Sequence, residues 1–212
     1  MYFQGLGKTD MRVRNCNSPN DCREKYIASI RSVNRNEQLV LTSLINMVDE
    51  FIKPYDKLHS IPWNFKIIQG NLESRFPHTH HDTIYLNATF FNNVGQRNIE
   101  TLIHEKIHIY QRMYPCETNM LLYGMGFQFH SVKPSINIDD YRSNPDINSI
   151  IYNDNNGPLD SRFNTNAQSL GDVKDSRDHP YEIMAYMLAS HLTHTNTQII
   201  DEYVDHWMNM YL

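Results

Sequence analysis

The stretch QRNIETLIHEKIHIYQRMY, residues 96–114, decides how the rest of the chain is read. Ile99, Leu102, Ile103, Ile107, Tyr110 and Met113 recur at three- and four-residue intervals, which form one apolar stripe on a 3.6-residue helix. Pro115 follows and closes it. Within the helix stands His104-Glu105-Lys106-Ile107-His108. Residues four apart lie one turn apart on the same face. Two imidazoles so placed can both reach one zinc ion at roughly 2.0–2.1 Å. The glutamate after the first histidine is placed to take a proton from water at the metal, not to ligate it. Composition alone would give this pattern only about 0.02 times in the chain, so a chance match is a poor account of it.

Upstream, the apolar residues from Ile27 to Ile52 again fall at helical spacing between Glu24 and Lys53. Asn34-Arg35-Asn36 is a natural division into two helices, and Pro54 ends the second. Trp63–Gln69 and Thr83–Asn87 alternate and are rich in β-formers, so both read as short strands. The His-rich Pro77–Asp82 between them reads as a polar surface turn, with a second metal site or a wall of the cleft as the alternative. Asn87-Ala88-Thr89 has the form of a glycosylation sequon but overlaps a strand end. Downstream, residues 117–129 suggest a helix interrupted by Gly124 and Gly126. Residues 131–178 are rich in Asn, Asp, Ser, Pro and Gly. Only Ile150-Ile151-Tyr152 there resembles a strand, and Asn144-Pro145-Asp146 resembles a turn. So long an irregular stretch is uncommon in a compact domain and is often functional. Pro180 opens a further helix at its first position, capped by Asp178 or His179 and running to about His191. A last helix spans roughly Thr197 to Tyr211.

The expected architecture is α+β: a mainly helical domain with a small mixed sheet packed on the 96–114 helix. Residues 1–5 look like the remnant of a cleavable expression tag, residues 6–22 read as a mobile polar lead-in, and residues 23–212 as a single domain. Hydrophobic residues make up 40% of the 212-residue chain, which argues against disorder. A net charge of -5 with no basic stripe argues against nucleic acid as a partner. No apolar run approaches the ~18 residues of a membrane span. The cysteines, Cys16, Cys22 and Cys116, read as free thiols in an intracellular, cytoplasmic setting, with a Cys16–Cys22 bridge as the alternative. The spacing of Cys16 and Cys22 does not match a zinc knuckle.

The His104–His108 motif in its uncharged helical setting resembles the zincin metallopeptidases. That resemblance implies one zinc ion per chain, Glu105 as general base, a peptide or protein substrate, and an edge strand above the metal helix, for which Thr83–Asn87 is suited. Lys106 departs from the family, which usually has an uncharged residue there. Metzincins would need His at position 114 and Gly at 111, where Tyr114 and Gln111 stand. Gluzincins take their third ligand from a glutamate on a later helix, and Glu182, followed by Ala185 and Ala189, is the best match. Glu182 lies 74 residues after His108, longer than in familiar gluzincins. Glu117, His130 and His179 are rival third ligands. One gluzincin branch has an Asp four residues after the third ligand; Tyr186 stands there. Tyr152, Tyr141 and His179 are candidates to stabilise a tetrahedral oxyanion. More loosely, this asparagine-rich chain resembles uncharacterised zinc-peptidase-like proteins of large DNA viruses. The competing functions are a zincin-shaped zinc-binding protein without turnover and a helical interaction domain whose motif is fortuitous.

Overall fold

The computed structural model describes residues 2–133, 139–174, 178–193 and 202–212. Its architecture is α+β. The helices are α1 (Lys8–Val13), α2 (Pro19–Ser29), α3 (Arg35–Ile52), α4 (Asp56–Ser60), α5 (Gln96–Met113), α6 (Pro115–Gly124), α7 (Pro180–Thr193) and α8 (Glu202–Tyr211). The strands are β1 (Ile30–Arg31), β2 (Asn64–Ile68), β3 (His78–His80), β4 (Thr83–Asn87), β5 (Gln128–Val132), β6 (Ile150–Asp154) and β7 (Gly157–Leu159). Residues 197–201 of the expected last helix lie outside the described residues. No described helix is long and apolar enough to cross a membrane.

The expected division at Asn34 is a helix start. The Asn34 side chain accepts from the Glu37 N–H (3.0 Å) and the Glu37 carboxylate accepts from the Asn34 N–H (2.9 Å), a reciprocal capping box. The four residues Leu41, Leu44, Val48 and Ile52 of α3 face inward at helical spacing and are buried against α5. The main core joins them to Leu102, Ile103 and Ile107 of α5, to Met184, Ala185, Leu188 and Ala189 of α7, and to Trp207 and Met208 of α8. Ala185 and Ala189 are almost fully buried where α7 lies along α5, so small side chains permit the close approach expected of them.

One sheet has the order β1-β2-β4-β3, with β2 and β4 parallel and the outer pairs antiparallel. It is the small mixed sheet the sequence leads one to expect, and β3 and β4 pack on α5. Its edge differs from expectation. Thr83–Asn87 is an interior strand, and the edge is His78–His80, where the sequence predicts a turn. Only His81-Asp82 turns, with His81 at φ 55° as a tight hairpin requires. Asn87 is buried: its amide donates to Ile68 O (3.2 Å) and Gly70 O (3.1 Å), so the sequon is structural.

The region expected to be irregular holds an antiparallel sheet, β5-β6-β7. Most of β5 is exposed, so it lacks the alternation that marks a half-buried strand. The expected helix over 117–129 accordingly begins earlier and ends at Gly124. Residues 6–22 also differ from a mobile lead-in. They carry α1 and the start of α2, and Cys16 and Cys22 are joined by a disulfide in place of the expected free thiols. Tyr2–Gly5 forms a short 3₁₀ turn with Phe3 buried. Lys106, which stands where zincins usually have an uncharged residue, does not reach solvent. It is fully buried behind the motif, where its Nζ donates to Ile61 O (2.8 Å) and sits 3.8 Å from the centre of the Trp63 ring.

Candidate metal centre

Helix α5 presents His104 and His108 on one face, and α7 brings Glu182 against them from its first turn. His104 Nε2 and His108 Nε2 are 3.0 Å apart, and Glu182 Oε2 lies 3.3 Å from the first and 3.5 Å from the second. This is the one cluster of its kind among the described residues whose ligand atoms all lie close enough to share an ion. Bonds of roughly 2.0–2.1 Å at tetrahedral angles would separate ligand atoms by about 3.3–3.4 Å. The three separations bracket that value, so the donor set fits a zinc-sized ion with little rearrangement.

The surroundings orient the three groups. His108 Nδ1–H donates to Gln111 Oε1 (2.8 Å), and the Gln111 amide nitrogen donates in turn to Tyr181 O (2.9 Å). That assignment leaves the lone pair of a neutral His108 ring on Nε2, facing the cluster. Asn144 Nδ2 donates to Glu182 Oε1 (2.6 Å), while Asn144 Oδ1 accepts from the Asp146 N–H (2.9 Å), which fixes the amide orientation. Glu182 therefore keeps Oε2 toward the histidines. Burial opposes its charge, yet His108 and His104 outweigh burial and hold its carboxyl well below the usual range. Burial also opposes the charge on His108, but the Glu182 and Asp146 carboxylates lift it to about 9. His104, dominated by burial, shifts down. A divalent cation bound there would compete with protons for the His108 ring.

Glu105 is buried beside this cluster, and its Oε2 has no hydrogen-bond partner among the described residues; the same holds for His104 Nδ1. Burial first, then the Asp146 carboxylate, push the Glu105 pKa well up. A cleft of about 590 Å³ opens over this face, lined by His104, Glu105 and Glu182 together with Arg142–Asp146 and Tyr186. Tyr186, one turn beyond Glu182, is 62% exposed, and its ring centre lies 4.3 Å from that of His104. The outer edge of β3 is not vacant: Asp146 Oδ1 accepts from the Thr79 N–H (2.7 Å) and hydroxyl, and Arg112 donates to that hydroxyl and to His81 O (3.2 Å).

The other expected candidates stand elsewhere. Glu117 pairs with Lys57 (3.0 Å) at the start of α6, and His130 is exposed on β5. His179 is buried as the cap of α7, its Nδ1 accepting from the Tyr181 N–H (3.1 Å) and its Nε2 donating to Ile150 O (3.1 Å). The Tyr152 hydroxyl is held by Asn148 (3.2 Å) and Asn119 (3.4 Å), and the Tyr141 hydroxyl by Arg162 (2.9 Å). None of the three proposed oxyanion stabilisers lines the cleft. Tyr186, Asn144 and Gln111 also touch the cluster, and the sequence reading does not single them out. Helical spacing alone points to two of them, three residues after His108 and four after Glu182, whereas Asn144 has no local signal. Compared with family models, curated proteins and solved structures, the chain has no match.

Proposed function

We propose that the chain is a zinc-dependent peptidase, with His104, His108 and Glu182 as the metal ligands and Glu105 as the general base. The observation that carries this reading is the convergence of an imidazole pair one helical turn apart with a carboxylate from 74 residues downstream, beside a buried glutamate with an unpartnered oxygen. Zinc bound there would supply Lewis acidity, activating water and polarising a carbonyl. Glu105 takes the proton of the attacking water and passes it to the leaving amine. Asn144 and Gln111 keep the ligands aimed, and Tyr186 shields His104 on the open side. The substrate lies in the cleft between α5, α7 and Arg142–Asp146. It does not extend β3 as an added strand, because Asp146 already occupies the Thr79 N–H.

Glu105→Gln tests the reading. The variant keeps its zinc but loses at least about 100-fold in cleavage of a peptide library relative to wild type. Equal cleavage by both proteins would remove Glu105 as the base. A wild type that holds zinc and cleaves nothing would favour a zincin-shaped binding protein. The Cys16–Cys22 bridge supports an oxidising compartment over the intracellular one expected from the sequence.

A further inference from the structure

Three charged residues outside α5 and α7 are buried together, and one of them, Glu73, also lines the cleft. Asp10 is 0% exposed, Arg14 3% and Glu73 4%. Arg14 forks onto Glu73, with Nε to Oε1 at 3.0 Å and Nη2 to Oε2 at 2.9 Å, and its Nη1 donates to Asp10 Oδ1 at 2.7 Å. Burying three charges is costly unless each is paired and hydrogen-bonded. Part of the remaining capacity goes to the Tyr2 hydroxyl, which accepts from Arg14 Nη2 (2.6 Å) and donates to Glu73 Oε1 (3.4 Å), and part to one residue of the loop that walls the cleft. Both Asp10 carboxylate oxygens accept from the Ser143 N–H (3.1 Å each), and Arg14 Nη2 donates to Ser143 O (3.0 Å). The backbone of Ser143 is therefore held on both its donor and its acceptor.

The next residue is Asn144, whose amide holds Glu182 Oε1, and two residues further Asp146 holds the edge strand at Thr79. Asn144 has no helix or strand to fix it, so its place depends on its anchors. Helices α1 and α2, which carry and flank Asp10 and Arg14, are tied by the Cys16–Cys22 bridge. We propose that the buried Asp10–Arg14–Glu73 triad is a positioning device for the metal centre, fixing Ser143 so that Asn144 aims the Glu182 carboxylate. This rests on the metal-ligand assignment above but not on peptidase activity.

The test is a double-mutant cycle on metal affinity, read by competition with a chromophoric chelator and by the visible spectrum of the cobalt-loaded protein. Asp10→Asn removes one charge from the triad, and Asn144→Ala removes the amide at Glu182. Each is expected to weaken zinc binding by about tenfold and to alter the cobalt spectrum. If the triad acts through Asn144, the double variant binds zinc no more weakly than Asn144→Ala alone. Effects that multiply, or an Asp10→Asn protein with a lower Tm but unchanged zinc affinity and cobalt spectrum, would overturn the proposal and leave the triad a role in the fold only. Glu73→Gln, nearly isosteric, replaces Asp10→Asn in the cycle should that variant not fold, with the same expected non-additivity. The outcomes separate the two claims. Zinc binding without peptide cleavage defeats the proposed function and leaves the triad's role standing. Zinc binding indifferent to all three substitutions defeats the triad alone, and a wild type that binds no zinc defeats both.

Discussion

Helices α5 and α7 and the loop Arg142–Asp146 all meet at His104, His108 and Glu182, yet they are placed by different physics. The helix pair is positioned by burial. Leu102, Ile103 and Ile107 on one side and Met184, Ala185 and Leu188 on the other are inaccessible to solvent, and His104, His108 and Glu182 ride on the same helices. The loop buries little apolar surface around Asn144. It is positioned by polar anchors from residues more than a hundred positions away, Asp10 and Arg14 to Ser143. Apolar packing tolerates small adjustments over a whole interface, whereas a hydrogen-bonded anchor either forms or is lost. The first arrangement brings the carboxylate near the imidazoles. The second selects which of its oxygens faces them.

The most severe way to break the comparison is to spoil the packing. Ala185→Leu adds volume to a fully buried position on α7, and overpacking of this kind costs roughly 1–3 kcal/mol. Thermal unfolding should show that loss, and zinc affinity should fall with it because α7 can no longer approach α5. Retained Tm and retained zinc affinity would mean that the close approach is not needed. A smaller effect is expected where packing is untouched and only a polar aim is lost. Gln111→Leu keeps the side-chain bulk but removes the acceptor that holds His108 Nδ1–H, and zinc affinity should fall by about tenfold. Chelator competition at constant pH measures it, and an unchanged affinity would show that the helix alone orients the ring.

The same contrast explains what could be read in the sequence. Helix α5, the start of α3 at Asn34, strand β4 and the opening of α7 at Pro180 are set by local periodicity and caps, and each is legible from a few neighbouring residues. The α+β class follows from them. Of the site, the facing of His104 and His108 is a property of one helix, and Glu182 is legible as a carboxylate in a helix carrying small residues. The failures have a common cause. Strand β5 is ordered by pairing with β6 while most of its side chains face solvent, so no alternation marks it. His78–His80 reads as a turn because its histidines are polar, yet His78 is buried, with its Nε2 accepting from the Tyr26 hydroxyl at 2.7 Å. Asp10, Arg14 and Asn144 carry meaning only through partners distant in the chain. Tyr152, Tyr141 and His179 have suitable chemistry, but their polar atoms are engaged by neighbours that no short-range pattern discloses.

The central claim is that three side chains from two helices bind one metal ion. Zinc titration of metal-free wild-type protein beside Glu182→Ala, with bound metal counted per chain, tests it most directly. One tightly held zinc per wild-type chain is expected, with affinity lower by roughly 100-fold or more in the variant. A wild type that binds no stoichiometric zinc, or a variant that binds it equally well, would contradict the account.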